Sequence, residues 1–293
     1  MKAKDIVDLV LLAAVWGASF LFMRMGAPEF GPIALVQLRM LIAAVFLLPL
    51  LKMRVGFAEL PGNWRPLTML GFLNSAIPFL LLTYSTLYVT AGFSSVINAT
   101  APLWGALVAW VWLSERLNRA AVIGLLLGFF GVAILTADAE SLAAPGATLA
   151  VIAAVCGAFF YGIGANYARR YTKHLNSLSV ATGSMLFPAI IMLPLTIMDW
   201  PEVLPSTQAW VALIAMGVAS TGFAYILYFR LIANVGPAKA ITVAYLIPVF
   251  AVIWGALIID ESVTTLMIAG CLIIFVGTAL VTGVLPRPKA GKE

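Results

Sequence analysis

One arginine stands alone among charged residues inside a long apolar run. Arg39 lies within residues 32–51, and by helical rise it sits roughly 10 Å from one end of that run. A buried guanidinium can bind a carboxylate through two parallel hydrogen bonds, so Arg39 is a candidate substrate anchor. The alternative is a structural arginine that bonds backbone carbonyls of a neighbouring helix. Arg24 lies near the end of the preceding run, where it can extend toward lipid headgroups.

Polar and aromatic side chains within the apolar runs form a second group of candidates. In an otherwise apolar wall they would supply the few polar contacts that suit a small amphipathic ligand. Tyr84 and Tyr88 are four residues apart and so share a helix face. Near the ends of the runs, Tyr88 and Tyr161 can alternatively be interfacial belt residues. The predicted substrate-binding residues are Trp16, Ser19, Arg39, Tyr84, Tyr88, Asn98, Trp104, Tyr161, Tyr225 and Tyr245.

Two prolines interrupt apolar runs at corresponding places. Pro102 and Pro248 are separated by 146 positions, and a proline inside a helix removes a backbone hydrogen bond. Breaks at matching positions of two halves are where transporters commonly place their binding sites. We therefore predict that Pro102 and Pro248 are hinges.

Several kinds of chemistry lack the residues they need. Asp8 lies at the start of the first run, and the apolar runs contain no other Asp or Glu, so a pump that exchanges protons for cationic drugs is disfavoured. An enzyme within the membrane would need a nucleophile with a base, or a metal cluster. Cys156, Cys271 and His174 are scattered along the chain, and the cysteines have no metal-ligand spacing. We expect no enzymatic activity, no metal and no cofactor.

The composition is that of a membrane protein. Of 293 residues, 63% are hydrophobic and 10% are charged, whereas soluble chains carry about 25% charged residues. An apolar run of about 20 residues can cross a bilayer as a helix. The predicted fold is an all-α membrane protein with ten transmembrane helices at residues 6–26, 32–51, 66–86, 91–113, 119–137, 146–168, 177–198, 208–230, 237–259 and 264–284.

The charges between the runs predict an orientation. Basic residues fall in alternate connections, and the intervening connections carry only acidic residues. By the positive-inside rule the amino and carboxyl termini are cytoplasmic. The net charge of +5 is then a property of cytoplasmic loops, and no nucleic-acid partner is expected. The basic connections contain Lys52, Arg54, Arg65, Arg116, Arg119, Arg169, Arg170, Lys173, Arg230 and Lys239, and the tail contains residues 287–292.

The sequence also repeats itself. A shift of 146 positions places Pro102 on Pro248, Glu115 on Glu261 and Gly124 on Gly270. Because each copy holds five predicted spans, an odd number, the second copy would enter the membrane the other way up. The predicted division is residues 1–137 for the first repeat, 146–284 for the second and 285–293 for a cytoplasmic tail. The repeats would surround a central cavity.

These features resemble the EamA family of the drug/metabolite transporter superfamily, and within that superfamily the exporters of amino acids and related metabolites. The resemblance implies a basket-like bundle whose fifth and tenth spans, 119–137 and 264–284, are peripheral. The residues that carry it are Trp16-Gly17-Ala18-Ser19-Phe20, Arg39, Pro102 and Ser114-Glu115-Arg116-Leu117, with Pro248, Asp260-Glu261-Ser262 and Gly270 in the second copy.

The sequence thus predicts an exporter or permease for small metabolites, with amino acids or similar zwitterions as substrates. It would work by alternating access in a bacterial inner membrane, as a monomer or weak homodimer with the substrate and the lipid bilayer as partners. A carrier of nucleosides, sugars or other metabolites is the alternative. A phosphate-bearing substrate would need two or more buried cations, and Arg39 is one. A membrane subunit without transport activity is a further alternative.

Overall fold

The computed structural model describes residues 2–137, 144–236, 240 and 242–283, and the regular secondary structure in these ranges is helical. Eight helices are long and apolar enough to cross a membrane, and a ninth apolar helix is shorter. We number them α1 (Ala3–Arg54), α2 (Trp64–Thr86), α3 (Ala91–Leu113), α4 (Arg119–Thr136), α5 (Ala147–Tyr171), α6 (Ser177–Met198), α7 (Thr207–Val235), α8 (Val243–Ile259) and α9 (Thr265–Thr282).

Large apolar side chains cover the outside of the bundle. Val111, Leu126, Ile197 and Leu257 are each more than 65% exposed. A soluble protein would bury such residues, whereas hydrocarbon solvates them without cost. The helices are therefore apolar on their outer faces as well as toward the core, as a multi-pass membrane protein requires.

Helix α1 folds back on itself at Gly31. This residue has φ 71° and ψ 159°. Glycine adopts such a positive φ readily, whereas residues with a Cβ avoid it. A Cβ placed on Gly26 would lie 2.8 Å from Leu35 Cδ1. In an unbroken helix these residues would be about 13 Å apart along the axis. The 52 residues of α1 thus form two arms, 3–30 and 32–54, that turn back at Gly31 and pack against each other there.

Helices α4 and α9 pack through glycines in a reciprocal pattern. A Cβ on Gly124 would lie 2.5 Å from the Gly277 carbonyl oxygen, and a Cβ on Gly277 would lie 2.6 Å from the Gly124 carbonyl oxygen. The same exchange joins Gly131 and Gly270, at 3.0 Å in both directions. Gly124 faces Gly277, and Gly131, further along α4, faces Gly270, which is earlier in α9. The two helices therefore run antiparallel, with their backbones in contact.

Unusual backbone features recur at the spacing of the sequence repeat. Two π-helical segments, Phe72–Ala76 in α2 and Val218–Phe223 in α7, begin 146 residues apart. The two non-glycine residues with positive φ in the described chain, Ser114 at 56° and Asp260 at 52°, are also 146 apart. Each ends a helix in the left-handed conformation, α3 and α8 respectively.

Two close helix crossings follow a nearly equal spacing. In the first arm of α1, a Cβ on Gly17 would lie 2.9 Å from the Ala251 nitrogen in α8. In α5, a Cβ on Gly162 would lie 2.7 Å from the Gly105 nitrogen in α3. Residues 17 and 162 are separated by 145 positions, and residues 105 and 251 by 146. These glycines let the backbones approach closely and fix how each pair of helices crosses.

Candidate functional site

Arg39 is buried in the middle of the bundle. The residue is 3% exposed, and its Nε donates a hydrogen bond to Thr221 Oγ1 at 2.9 Å. Its guanidinium carbon lies 3.8 Å from the centre of the Phe79 ring, a cation–π contact worth about 2 kcal/mol when water is excluded. Nη1 is buried and has no hydrogen-bond partner among the described residues.

The π-helical segment of α7 holds Thr221 in place. The Thr221 hydroxyl donates to the carbonyl of Met216 at 3.0 Å, five residues earlier. A π-helical turn displaces the regular backbone bonding by one residue, and such turns are common at functional sites. With its proton given to Met216, the hydroxyl oxygen is free to accept the Arg39 hydrogen bond. The irregular backbone therefore helps to position the arginine.

Two predicted tyrosines complete the surroundings of Arg39. Tyr161 and Tyr225 lie close enough to interact electrostatically with the guanidinium. The Tyr161 ring also packs edge-on against Phe79, with the ring centroids 6.3 Å apart. We call Arg39, Phe79, Tyr161, Thr221 and Tyr225 the Arg39 cluster. It draws on α1, α2, α5 and α7, so four helices converge on one buried charge.

No carboxylate of the described residues balances the charge of Arg39. Within the described ranges the ion pairs belong to Arg24, Arg169 and Arg230, and Arg39 has none. A buried cation without an anion is costly unless something else compensates it. Phe79, Thr221 and the two tyrosines compensate only in part, because they are neutral. The cluster is therefore suited to receive a negatively charged group.

Each of the two π-helical segments places one residue beside this cluster. Ser75, in the first segment, is fully buried beside Tyr225, and Thr221 belongs to the second segment. Residues 75 and 221 are separated by the 146 positions of the repeat. Residues at corresponding positions of the sequence repeat thus both lie beside the Arg39 cluster.

Other predicted binding residues lie in smaller groups. The rings of Tyr84 and Tyr88 are 5.2 Å apart, as their spacing of four predicts. Trp16 packs against Tyr228, with centroids 5.3 Å apart. Ser19 Oγ and Asn98 Oδ1 are buried without a hydrogen-bond partner among the described residues. Tyr228 lies near Tyr225 of the Arg39 cluster, so Trp16 is linked to the cluster through one intervening ring.

Trp104 and Tyr245 pack against the helices predicted to be peripheral. Trp104 contacts Phe129 of α4 at 4.8 Å and Phe159 of α5 at 5.4 Å between ring centroids. The Tyr245 hydroxyl is 2.7 Å from Thr282 Oγ1 of α9, and its ring meets Phe275 edge-on. Trp104 thus contacts α4 and α5 and Tyr245 contacts α9, and the prediction that both line a cavity stays a prediction.

The placement of Tyr245 gives a testable contrast. Tyr245→Phe removes a buried hydroxyl contact, so we expect a loss of about 1 kcal/mol of stability and an unchanged KM for transport. Tyr225→Phe alters the Arg39 cluster, so we expect a changed KM. Thermal unfolding and transport kinetics of the two variants provide the measurement. An equal change of KM in both would assign Tyr245 to the binding site.

The predicted hinges lie in different local settings. Pro102 begins the second part of α3, after a break at Ala99 and Thr100 that separates Ala91–Asn98 from Ala101–Leu113. Pro248 lies inside α8, six residues into Val243–Ile259. The break beside Pro102 leaves Asn98 at a helix end, close to the middle of the span. A hinge role for either proline stays a prediction.

Ionic contacts join helices at both ends of the bundle. We call the end with the basic connections the basic end and the opposite one the acidic end. At the basic end Arg230 pairs with Asp8, and Arg169 pairs with Glu115. At the acidic end Arg24 Nε lies 3.6 Å from Glu261, whose two carboxylate oxygens accept from the Ala91 amide at 3.0 and 2.9 Å. The Glu261 carboxylate therefore lies at the amino terminus of α3, where a negative charge interacts favourably with the helix dipole.

The two glutamates that end α3 and α8 have different environments. Glu115 is 46% exposed, and the hydrogen bond from Arg169 lowers its pKa. Glu261 is 10% exposed, and burial raises its pKa against the opposing effects of the Ala91 amide and Arg24. Equivalent positions in the sequence repeat are therefore solvated at one end and desolvated at the other.

Comparison with known proteins decides the family. Residues 6–137 and 148–283 each match the EamA-like transporter family. The chain belongs to this family. The resemblance noted in the sequence is thereby confirmed. Within the described ranges no group of three or more His, Cys, Asp or Glu side chains could hold a metal ion. Relatives of the chain are named as transporters.

The similarity between this EamA chain and its relatives covers nearly the whole length of the chain. It is 24% identical over 291 residues to the uncharacterized transporter YoaV of Bacillus subtilis, covering 98% of this chain and 99% of that protein. It is 26% identical over 280 residues to the uncharacterized inner membrane transporter YedA of Escherichia coli, covering 94% and 89%. A crystal structure with 20% identity superposes with a TM-score of 0.67, covering 97% and 98%.

Several residues of the site were not singled out from the sequence. Phe79 and Thr221 contact Arg39 directly, and Arg24, which we expected to extend toward headgroups, instead bonds the Thr86 carbonyl and faces Glu261. The sequence could have drawn attention to Glu261, because the repeat places Glu115 at the corresponding position. No sequence pattern distinguishes Phe79, which is an apolar residue in an apolar helix.

Proposed function

We propose that this EamA protein is a secondary transporter that moves amino acids or similar zwitterions across the inner membrane by alternating access. The observation that carries the proposal is the buried Arg39 guanidinium, whose Nη1 has no partner in the described chain. A substrate carboxylate would supply the missing anion and accept from Nη1. Tyr161 and Tyr225 would offer polar contacts for the rest of the molecule.

The same proposal includes ten spans in two inverted repeats. The two arms of α1 count as two spans, and α2 to α9 supply eight more. The matched π segments and left-handed turns support two similar halves. The antiparallel packing of α4 on α9 supports opposite orientations, since these helices occupy equivalent places in the repeat. Two such halves can exchange conformations and so open the site to either side.

The cytoplasmic location of both termini belongs to the proposal as well. It rests on the basic connections, which gather at one end of the bundle. With this orientation the acidic end faces outward. Small molecules and the bilayer are the expected partners, and the monomer or weak homodimer remains part of the proposal.

Uptake of radiolabelled amino acids into proteoliposomes tests the substrate class. We expect saturable accumulation of at least one amino acid above empty liposomes, and competition by compounds that retain a carboxylate. Amides of the same amino acids are the matched control, because they keep the side chain and lose the negative charge. Absence of uptake for every amino acid, or equal competition by acid and amide, would contradict the proposal.

A further inference from the structure

Two ion pairs at opposite ends of the bundle occupy corresponding positions. Arg24 in α1 pairs with Glu261 after α8, and Arg169 in α5 pairs with Glu115 after α3. Glu115 and Glu261 are 146 residues apart, and Arg24 and Arg169 are 145 apart. The offset of 145 is also that of Gly17 and Gly162, which lie on the same two helices as the arginines. Each pair therefore lies beyond an equivalent glycine crossing.

The acidic-end pair connects several elements and is largely withdrawn from solvent. The Glu261 side chain is 10% exposed and Arg24 is 33% exposed. Glu261 accepts from the first amide of α3, and Arg24 donates to the Thr86 carbonyl at the end of α2. One carboxylate and one guanidinium thus join α1, the α2–α3 connection and the α8–α9 turn. Separation of these elements requires that the pair break.

The basic-end pair is formed but open to water. The Glu115 side chain is 46% exposed and Arg169 is 58% exposed. They line a cleft of about 360 Å³ together with Trp112, Leu113, Ser114, Arg170 and Lys173. The same kind of contact is therefore formed at both ends, largely buried at the acidic end and solvated at the basic end.

We propose that the two ion pairs are a matched pair of gates, each holding its own end closed: Arg24–Glu261 the acidic end and Arg169–Glu115 the basic end. Both pairs are formed in the structure, which therefore represents a state in which both gates are closed. This inference rests on the alternating access proposed above, but it requires no particular substrate. Because the halves are equivalent, loss of either gate shifts the balance toward opening of its own end.

Cysteine accessibility in lipid nanodiscs tests the gates, since both faces are open to reagent. In a background with Cys156→Ala and Cys271→Ala, reporters are Ser94→Cys, buried in α3 near the acidic end, and Leu113→Cys, in the basic-end cleft. Glu261→Gln keeps an acceptor for the Ala91 amide and removes the charge. We expect about tenfold faster maleimide labelling at Ser94→Cys and slower labelling at Leu113→Cys.

Glu115→Gln supplies the opposite test. It removes the basic-end charge, so we expect slower labelling at Ser94→Cys than in the parent and faster labelling at Leu113→Cys. Arg24→Gln breaks the first gate from its other partner and should reproduce Glu261→Gln. Glu202→Gln, an exposed carboxylate at the acidic end, is the matched control and should change neither rate.

The inference is overturned if the two glutamine variants shift labelling in the same direction, if only one of them shifts it, or if neither does. Labelling reports conformation and not transport. If labelling shows the opposed shifts but no amino acid accumulates, the gates are supported and the proposed substrate class is wrong. Amino-acid accumulation without the shifts would retain the proposed function and lose the gates.

Discussion

Arg39→Gln is expected to abolish transport while the protein remains folded. The substitution keeps a polar side chain near Thr221 but removes the charge that would hold a carboxylate. Loss of one partner of a buried, hydrogen-bonded charge pair costs about 2–5 kcal/mol, which corresponds to a fall in kcat/KM of about 30-fold to several thousandfold. Counterflow of labelled substrate and thermal unfolding of the same preparation measure the two effects. Arg39→Lys tests whether charge alone suffices or whether the planar fork is needed.

Gln37 provides a matched control for Arg39. It lies two residues earlier on the same arm, is 1% exposed, and donates to the Ala189 carbonyl at 3.0 Å. Gln37→Leu should lower thermal stability and leave KM unchanged, because its contact joins two helices. If Arg39→Gln behaves in the same way, with lower stability and normal transport, the arginine is structural and the proposed anchor is wrong.

Gly162→Ala is expected to destabilise the bundle more than its single methyl group suggests. The added Cβ would meet the Gly105 nitrogen at 2.7 Å, the Trp104 carbonyl carbon at 2.8 Å and Trp104 Cβ at 2.9 Å. Backbone atoms cannot rotate away as a side-chain end can, so α5 and α3 must separate. Overpacking of this kind costs about 1–3 kcal/mol, which thermal unfolding in detergent would record as a lower Tm.

A similar loss of stability is expected at the crossing of α1 with α8, where Gly17 occupies the position that corresponds to Gly162. Gly17→Ala would place a Cβ 2.7 Å from Phe250 Cβ and 2.9 Å from the Ala251 nitrogen. Gly62→Ala is the control, because a Cβ there meets nothing within 4 Å. Equal melting temperatures for all three variants would show that the bundle tolerates wider crossings, and that the glycines do not set them.

The apolar runs indicated long apolar helices and placed Arg39 within one of them, but they did not indicate the direction that each side chain faces. Trp104 and Tyr245 lie within helices, for example, and the apolar pattern did not indicate that their rings would contact α4, α5 and α9. A span that is apolar on every side has no polar stripe to indicate its rotation about its axis. Here the glycine crossings and the seam between α4 and α9 fix that rotation, and they depend on residues far apart in sequence.

The π-helical segments could not be predicted for a related reason. Their residues, Phe72–Ala76 and Val218–Phe223, have the small and apolar character of the helices around them. A π turn differs from an α-helix by a shift in backbone hydrogen bonding, which no spacing of side chains reveals. The fold shows that the two segments begin 146 residues apart and that Thr221 contacts Arg39.

The glycine seam between α4 and α9 has the form of an interface between two identical subunits. In a two-fold dimer every contact occurs twice, and a residue near the axis meets its own copy. A dimer of the five-span unit would therefore place two guanidiniums at its centre. In this chain the position 145 or 146 residues after Arg39 holds Ser184 or Met185. Because the two family matches lie in one chain, corresponding positions can hold different residues, and the buried charge of Arg39 stands without a second copy at Ser184 or Met185.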